Sequence, residues 1–116
     1  MDLFAGILVS DLETAQAWYE RLLGAEPSFF PNDAEAVWTL AEHRHVYVQL
    51  DPERAGRSLV TLMVEDLDAL TAGIGDRGIE PADRETYANG VRKVTYRDAD
   101  GNEIGFGGGA GGSSSA

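Results

Sequence analysis

The sequence predicts an α+β domain built from two consecutive βαβββ modules. VSDLETA at Val9–Ala15 is repeated as VEDLDAL at Val64–Leu70, and GAEP at Gly24–Pro27 is repeated as GIEP at Gly78–Pro81. An apolar segment typical of a strand precedes each repeat, and short alternating segments follow it. Repetition at a nearly fixed spacing indicates that two similar structural units follow each other along the chain.

The first module begins with the strand LFAGILV at residues 3–9. A helix follows, in which Ser10 and Glu13 have capping-box spacing and Gly24 occupies the position of a C-terminal cap. One apolar stripe runs along this helix, formed by Leu12, Ala15, Tyr19, Leu22 and Leu23. Three more strands are predicted at Pro27–Phe30, Glu35–Leu40 and His45–Leu50.

The second module begins with SLVTLMV at residues 58–64. Its helix carries a shorter stripe of Leu67, Leu70 and Ile74, and Gly73 and Gly75 each cost about 1 kcal/mol relative to alanine. We therefore predict a shorter or frayed helix. Strands are predicted at Glu85–Ala88, Val91–Tyr96 and Glu103–Phe106, with a turn at Asn89-Gly90.

These elements predict one domain over residues 1–106, with modules at about 1–54 and 55–106. The expected architecture is a curved mixed sheet with a concave cavity and with helices on the outer face. Residues 107–116, GGGAGGSSSA, have the composition of a flexible Gly/Ser tail.

The acidic segment DADGNE at Asp98–Glu103 raises the question of a calcium site. An EF-hand loop needs glycine at its sixth position and a bidentate glutamate at its twelfth, between two helices. Gly101 stands only at the fourth position, and the flanking segments have strand patterns. The segment is therefore predicted to be a tight turn joining two antiparallel strands.

Composition limits the partners. The chain has 9 Lys plus Arg against 20 Asp plus Glu, a net charge of −11, which disfavours nucleic acid and anionic membranes and favours cationic small molecules. The absence of cysteine excludes disulfides, thiolate metal sites and a cysteine nucleophile. No signal sequence or long apolar segment is recognised, so a cytoplasmic location is expected.

The phrases DLETAQAWYERLLG at 11–24 and DADGNEIGF at 98–106, together with the repeat, resemble the vicinal-oxygen-chelate superfamily of glyoxalases, bleomycin-resistance proteins and dioxygenases. In metal-using members, four strands supply His or Glu ligands to one divalent ion on the concave face. The motifs place these four positions at Phe4, Gln49, Leu59 and Gly105. Because a divalent ion needs several anionic or imidazole ligands, we predict neither a metal site nor a cofactor.

Strand alternation then predicts which side chains face the concave cavity. Lys93, Leu40 and His45 are placed beside a proposed ligand-binding set of Phe4, Trp38, Tyr47, Gln49, Leu59, Thr61, Met63, Thr95 and Glu103. Such a mostly apolar face with a few polar groups is typical of small-molecule sites. For Phe4, Leu8, Leu59 and Met63, packing in a core or a dimer interface is the preferred interpretation.

No catalytic residue is assigned, because no nucleophile elbow or phosphate-binding loop is present. His43 and His45 would share one side of a strand, but two ligands favour a surface turn over a metal site.

The leading hypothesis is a metal-free homodimeric protein, similar to the bleomycin-resistance branch, that sequesters an aromatic, cationic small molecule such as an antibiotic. The alternative is a metal-independent isomerase, cyclase or lyase acting on a small carbonyl metabolite, with Glu103, Lys93, Tyr47 or His45 as acid or base. A third is a domain whose only role is dimerisation or contact with another protein.

Overall fold

A computed structural model describes residues 1–109 as eight strands and two helices in the order βαβββ–βαβββ. The first module comprises β1 (Leu3–Val9), α1 (Leu12–Leu23), β2 (Phe29–Asn32), β3 (Glu35–Ala41) and β4 (Arg44–Leu50). The second comprises β5 (Leu59–Met63), α2 (Leu67–Asp76), β6 (Asp83–Thr86), β7 (Arg92–Arg97) and β8 (Glu103–Gly108). The predicted α+β class and the tandem modules are confirmed.

Each module forms its own four-stranded mixed sheet. The strand orders are β1-β4-β3-β2 and β5-β8-β7-β6, so the two sheets have the same topology. In each sheet the first strand pairs in parallel with the last, and the remaining pairs are antiparallel. A crossover through the helix is what allows the first strand to lie parallel to the last.

One face of each sheet packs against the helices, and the two modules share one hydrophobic core. In the first sheet Trp38 is paired with Val46 on this face, and in the second Tyr96 is paired with Ile104. All four side chains are buried. We call this side of each sheet the core face and the opposite side the open face.

The helix ends differ from the sequence prediction at one cap. Asp11, rather than Ser10, is the N-cap of α1, and its carboxylate accepts a hydrogen bond from the Thr14 amide at 3.1 Å. A helix begins at the residue whose side chain can reach the free amides of the first turn, and Asp11 does so one position later. Gly24 is the predicted C-cap, with a left-handed φ of 75°. The second helix is shorter, at 10 residues against 12.

Several strand boundaries also differ. β2 and β6 each begin two residues away from their predicted starts at Pro27 and Glu85. In the second case Tyr87 and Ala88 belong to the turn before β7, where the Tyr87 amide donates to the Val91 carbonyl. β8 continues to Gly108, so the predicted tail from residue 107 begins too early. The rest of that tail, residues 110–116, lies outside the described residues.

The predicted turn between β7 and β8 is confirmed, but its acidic side chains also join the two modules. The Asp98 carboxylate accepts hydrogen bonds from the Tyr19 hydroxyl and from the Asn102 side-chain amide, both at 2.8 Å. Asn102 is fully buried, donates to the Leu8 carbonyl and accepts from the Ser58 amide. Burial beside Asp98 raises the pKa of Tyr19, so its hydroxyl stays a donor. We call these groups the closing-turn network.

Within residues 1–109, neither helix has the length and apolar character that crossing a membrane requires.

Candidate functional site

The open face of the first sheet carries aromatic and polar side chains. β1 and β4 are in parallel register, with Phe4 opposite His45 and Leu8 opposite Gln49. The Phe4 and His45 rings stack with their centroids 4.2 Å apart, and 46% of Phe4 is exposed. These two strands therefore present a flat, partly exposed aromatic surface.

Gly6 is the residue that lets Tyr47 lie across this surface. A Cβ added at Gly6 would stand 2.6 Å from the Tyr47 hydroxyl oxygen and ring, closer than real atoms approach. The tyrosine ring thus lies directly over the β1 backbone. The ring is held over this strand only because Gly6 has no side chain.

The open face of the second sheet is built from glycines and flexible side chains. Thr61 and Met63 on β5 are paired with Gly105 and Gly107 on β8. An added Cβ would stand 2.5 Å from Lys93 Cε at Gly105 and 2.7 Å from the Met63 sulfur at Gly107. Lys93 and Met63 therefore cover a strip of bare backbone that they could uncover by changing rotamer.

One pair of charged groups joins neighbouring strands of the second open face. The Glu103 carboxylate accepts from Arg97 Nε at 3.2 Å. Thr95 is buried, whereas 67% of Leu59 and 50% of Met63 are exposed. Exposed apolar side chains therefore form a large part of this face.

Trp38 and Leu40 were expected on the concave face, and that expectation is wrong. Trp38 is opposite Val46 on the core face, its ring centroid is 6.2 Å from that of Tyr19, and its indole donates to the Ala25 carbonyl. Only 2% of Trp38 is exposed. Its N–H finds a backbone partner inside the core, so it is not available to a ligand. Leu40 lies instead beside Leu22 and Leu23 of α1, in the wall of a cavity on the helix side.

The other predicted ligand residues lie on the two open faces. They are Phe4, Tyr47, Gln49, Leu59, Thr61, Met63, Thr95 and Glu103. Strand register divides them into two groups, one on each sheet. Their role in ligand binding stays a prediction.

The four positions implied by the resemblance are not pairwise neighbours. Phe4 is opposite His45 rather than Gln49, and Leu59 is opposite Glu103 rather than Gly105. His45 and Glu103 are already engaged by Asp2 and Arg97, respectively. Across residues 1–109, no group of three or more His, Cys, Asp or Glu side chains is arranged to hold a metal ion. The residues present therefore do not fit the divalent ion of metal-using relatives.

His45 belongs to a chain of hydrogen bonds near the start of β4 in the first sheet. Its Nε2 lies 2.9 Å from one oxygen of Asp2 and its Nδ1 lies 2.9 Å from the Thr39 hydroxyl. The other Asp2 oxygen is 2.6 Å from His43 Nδ1. Hydrogen bonds to His45 and His43 lower the pKa of Asp2 below its ordinary value. The turn that contains His43 is thus hydrogen-bonded to Asp2, just before β1.

A cavity of about 420 Å³ was not predicted from the sequence. Its walls come from α1, the β3–β4 hairpin, β5, β8 and α2, and of the predicted ligand residues it includes only Met63. We call it the inter-module groove, lined by Leu22, Leu23, Leu40, Ala41, Arg44, Leu62, Met63, Val64, Ala69, Leu70, Gly73, Arg77 and Phe106. No local sequence pattern predicts this groove, because its walls are helices and strands that are far apart in the sequence and come together only in the folded protein.

The fold and its faces define a class of tandem βαβββ domains with open sheet faces. The chain belongs to the glyoxalase/bleomycin resistance protein/dioxygenase superfamily, whose family model matches residues 3–106. A glyoxalase/bleomycin resistance protein from Catenulispora acidiphila DSM 44928 is 58% identical, with a TM-score of 0.89 over 92% of this chain and 96% of that chain. A search of the curated proteins gave no match.

Two further solved structures show that this fold serves different activities. A bleomycin-binding protein complexed with bleomycin is 18% identical, with a TM-score of 0.75 over 92% of this chain and 97% of that chain. A lactoylglutathione lyase from Agrobacterium tumefaciens is 17% identical, with a TM-score of 0.74 over 92% of each chain. At these identities the likeness concerns the fold alone.

Proposed function

We propose that this protein is a metal-free binding protein that sequesters an aromatic, cationic small molecule such as an antibiotic. The observation that carries the proposal is the chemistry of the open faces. Exposed Phe4, Leu59 and Met63 stand there, and no metal-ligating group of side chains is assembled among residues 1–109. Small-molecule sites combine such apolar surface with a few polar groups, here Gln49 and Thr61.

The charge of the protein supports a cationic ligand. A net charge of −11 attracts cations over long distances and raises their concentration at the surface. The stacked Phe4 and His45 rings and the neighbouring Tyr47 offer ring faces on which a flat or cationic group could stack. A bleomycin-binding relative of the same fold supports the antibiotic class.

We further propose that two chains form a homodimer in the cytoplasm, with the ligand in a cleft between them. Phe4, Leu59 and Met63 are 46%, 67% and 50% exposed in the single chain. Exposed apolar side chains grouped on a sheet face, such as Leu59 and Met63, are typical of an interaction site. A second copy would cover part of this surface and leave the remainder to the ligand.

The alternative, a metal-independent isomerase, cyclase or lyase, is less well supported. A general base needs a free atom within hydrogen-bond reach of the substrate proton. Both ring nitrogens of His45 are occupied, one by Asp2 and the other by Thr39. Glu103 is paired with Arg97. Two of the four candidate acid–base residues are therefore already engaged, which favours ligand binding without chemistry.

The test is isothermal titration of chelator-treated protein with metal-free bleomycin, other aromatic cations and neutral aromatic metabolites. We expect Phe4→Ala and Leu59→Ala each to weaken binding of the recognised cation by about tenfold, or about 1.4 kcal/mol. Matched controls are Leu50→Ala and Leu3→Ala, because Leu50 is paired with the buried Val9 on the opposite side of the sheet and Leu3 shares the side of Val9. Leu50 is 41% and Leu3 is 68% exposed. The controls should bind normally.

Equal losses in variants and controls would show that the open faces are not the site. Binding that returns only when a divalent metal is added would overturn the metal-free proposal. Turnover of a carbonyl compound with a bell-shaped pH profile that Asp2→Asn alters would favour the enzyme.

A further inference from the structure

The inter-module groove is a concave surface whose lining residues, apart from Met63, are not those assigned to the open faces. Leu22 and Leu23 of α1 and Leu40 of β3 line it from the first module. Leu62, Leu70 and Phe106 line it from the second. Its volume of about 420 Å³ lies within the range of small-molecule sites, about 300–1,000 Å³. The groove can therefore hold a short apolar chain.

Two arginines are the only charged residues that line this apolar groove within residues 1–109, Arg44 from the first module and Arg77 from the second. Neither forms an ion pair with a carboxylate in that part of the chain. In a protein with 20 acidic residues, two cations without acidic partners in one groove favour an anionic ligand.

Arg77 is held in a fixed position. Its Nε donates to the Arg21 carbonyl at 2.5 Å and one terminal nitrogen donates to the Leu22 carbonyl at 3.4 Å, at the end of α1. An added Cβ at Gly24 or Gly73 would stand 3.1 or 3.2 Å from its guanidinium. Two glycines thus leave the space that this group fills. Since Arg77 already serves the carbonyl end of α1, the exposed Arg44 is the better partner for a ligand.

We propose that the inter-module groove binds a small amphipathic carboxylic acid, with its apolar chain against the leucines and its carboxylate at Arg44. This site is additional to the proposed open-face site and takes a ligand of opposite charge. A guanidinium suits a carboxylate because its planar fork can donate two parallel hydrogen bonds.

The overall charge makes this proposal sharply testable. A net charge of −11 attracts an ammonium head group and repels a carboxylate at long range. A preference for the carboxylate over an ammonium with the same chain must therefore come from groups at the site. The experiment compares dodecanoate with dodecyltrimethylammonium, both below their micelle-forming concentrations, by isothermal titration.

We expect dodecanoate to bind more tightly than dodecyltrimethylammonium. Arg44→Gln should weaken dodecanoate binding about fivefold, the effect of an exposed ion pair, and leave the ammonium compound unaffected or slightly favoured. The matched control is Arg57→Gln, which removes the same charge from an exposed residue outside the groove. This control separates a local contact from the change in net charge.

A second pair of variants tests the position of the apolar chain. Ala69→Phe adds a ring inside the groove from an exposed position of α2, and should weaken dodecanoate binding by about tenfold or more. Ala72→Phe adds the same ring to the same helix at an exposed position away from the groove. It should bind dodecanoate normally.

Three results would overturn the proposal. The first is equal or tighter binding of dodecyltrimethylammonium, and the second is an equal loss in Arg44→Gln and Arg57→Gln. The third is Ala69→Phe changing the oligomeric state while dodecanoate binding persists, which would show that a second copy covers the groove. The open-face variants Phe4→Ala and Leu59→Ala should leave dodecanoate binding unchanged, so either proposal can fail without the other.

Discussion

Gly6 on β1 is paired with Tyr47 on β4 in the first module, and Thr61 on β5 is paired with Gly105 on β8 in the second. The two pairs occupy equivalent places, but the glycine has moved from the first strand to the last. Tyr47 covers Gly6 with a rigid ring, whereas the flexible chain of Lys93 covers Gly105. One topology thus supports a fixed aromatic surface in one module and an adaptable surface in the other.

The last turns of the two modules differ as well. The turn between β3 and β4 is exposed and has His43 at a positive φ of 65°. The turn between β7 and β8 contains the buried Asp98 and Asn102, which join the modules. Duplicated modules therefore keep their shared core and diverge in the turns and open faces.

The two modules are alike in their core faces. Substitutions there should have the largest effect on stability. Trp38→Ala and Tyr96→Ala should each lower the free energy of unfolding by about 3–5 kcal/mol, because both side chains are almost fully buried. Urea denaturation measures this. If the alanine variants do not fold, Trp38→Phe and Tyr96→Phe should show smaller losses. A loss below about 1 kcal/mol for Trp38→Ala would contradict its place in the core.

The closing-turn network should give the next largest effect. Asn102→Ala leaves the Leu8 carbonyl and the Ser58 amide without their partner and should cost about 2–3 kcal/mol. The control is Asn89→Ala, because Asn89 lies in the exposed turn between β6 and β7 and accepts one hydrogen bond, from the Val91 amide. Comparable losses for the two variants in urea denaturation would show that the last turn does not join the modules.

Gly6 and Gly105 allow a direct comparison between a glycine covered by a rigid ring and a glycine covered by a flexible side chain. Gly6→Ala should cost about 1–2 kcal/mol, because the Tyr47 ring must move as a unit. Gly105→Ala should change stability by less than about 0.5 kcal/mol, since Lys93 can adopt another rotamer. Thermal unfolding of both variants measures the difference. An equal cost would remove the distinction between the two open faces.

The smallest expected effect concerns two exposed carboxylates. The pKa of Asp2 is lowered by hydrogen bonds to His45 and His43, and that of Asp68 by its hydrogen bond and ion pair with Arg92. A lowered pKa means that each pair contributes stability above the ordinary value of 3.8 and loses it as pH falls through the lower, folded value. Carbon-13 titration of the two carboxyls should give pKa values below 3.8. Normal values would show that these pairs do not persist in solution.

Strand alternation predicted the sheet face on which most of the candidate residues lie. Side chains at every second position share one side of a strand. This rule correctly grouped Phe4 with Leu8, Tyr47 with Gln49 and Thr61 with Met63 on the open faces. The prediction for Trp38 was wrong because alternation divides side chains between two faces of the sheet but does not show which face packs against the helices. A tryptophan side chain is compatible with either face of the sheet. On the core face its ring packs near Tyr19 and its N–H donates to the Ala25 carbonyl.

The sequence alone determined the tandem βαβββ order, the helix end at Gly24 and the turn at Asp98–Asn102, because periodicity, capping and turn chemistry act over a few residues. Only the tertiary structure decided that this turn joins the modules, that Arg44 and Arg77 line one groove, and that Lys93 covers Gly105. Each of these contacts unites residues distant in the chain, and their positions follow from how the helices and sheets pack rather than from local preference.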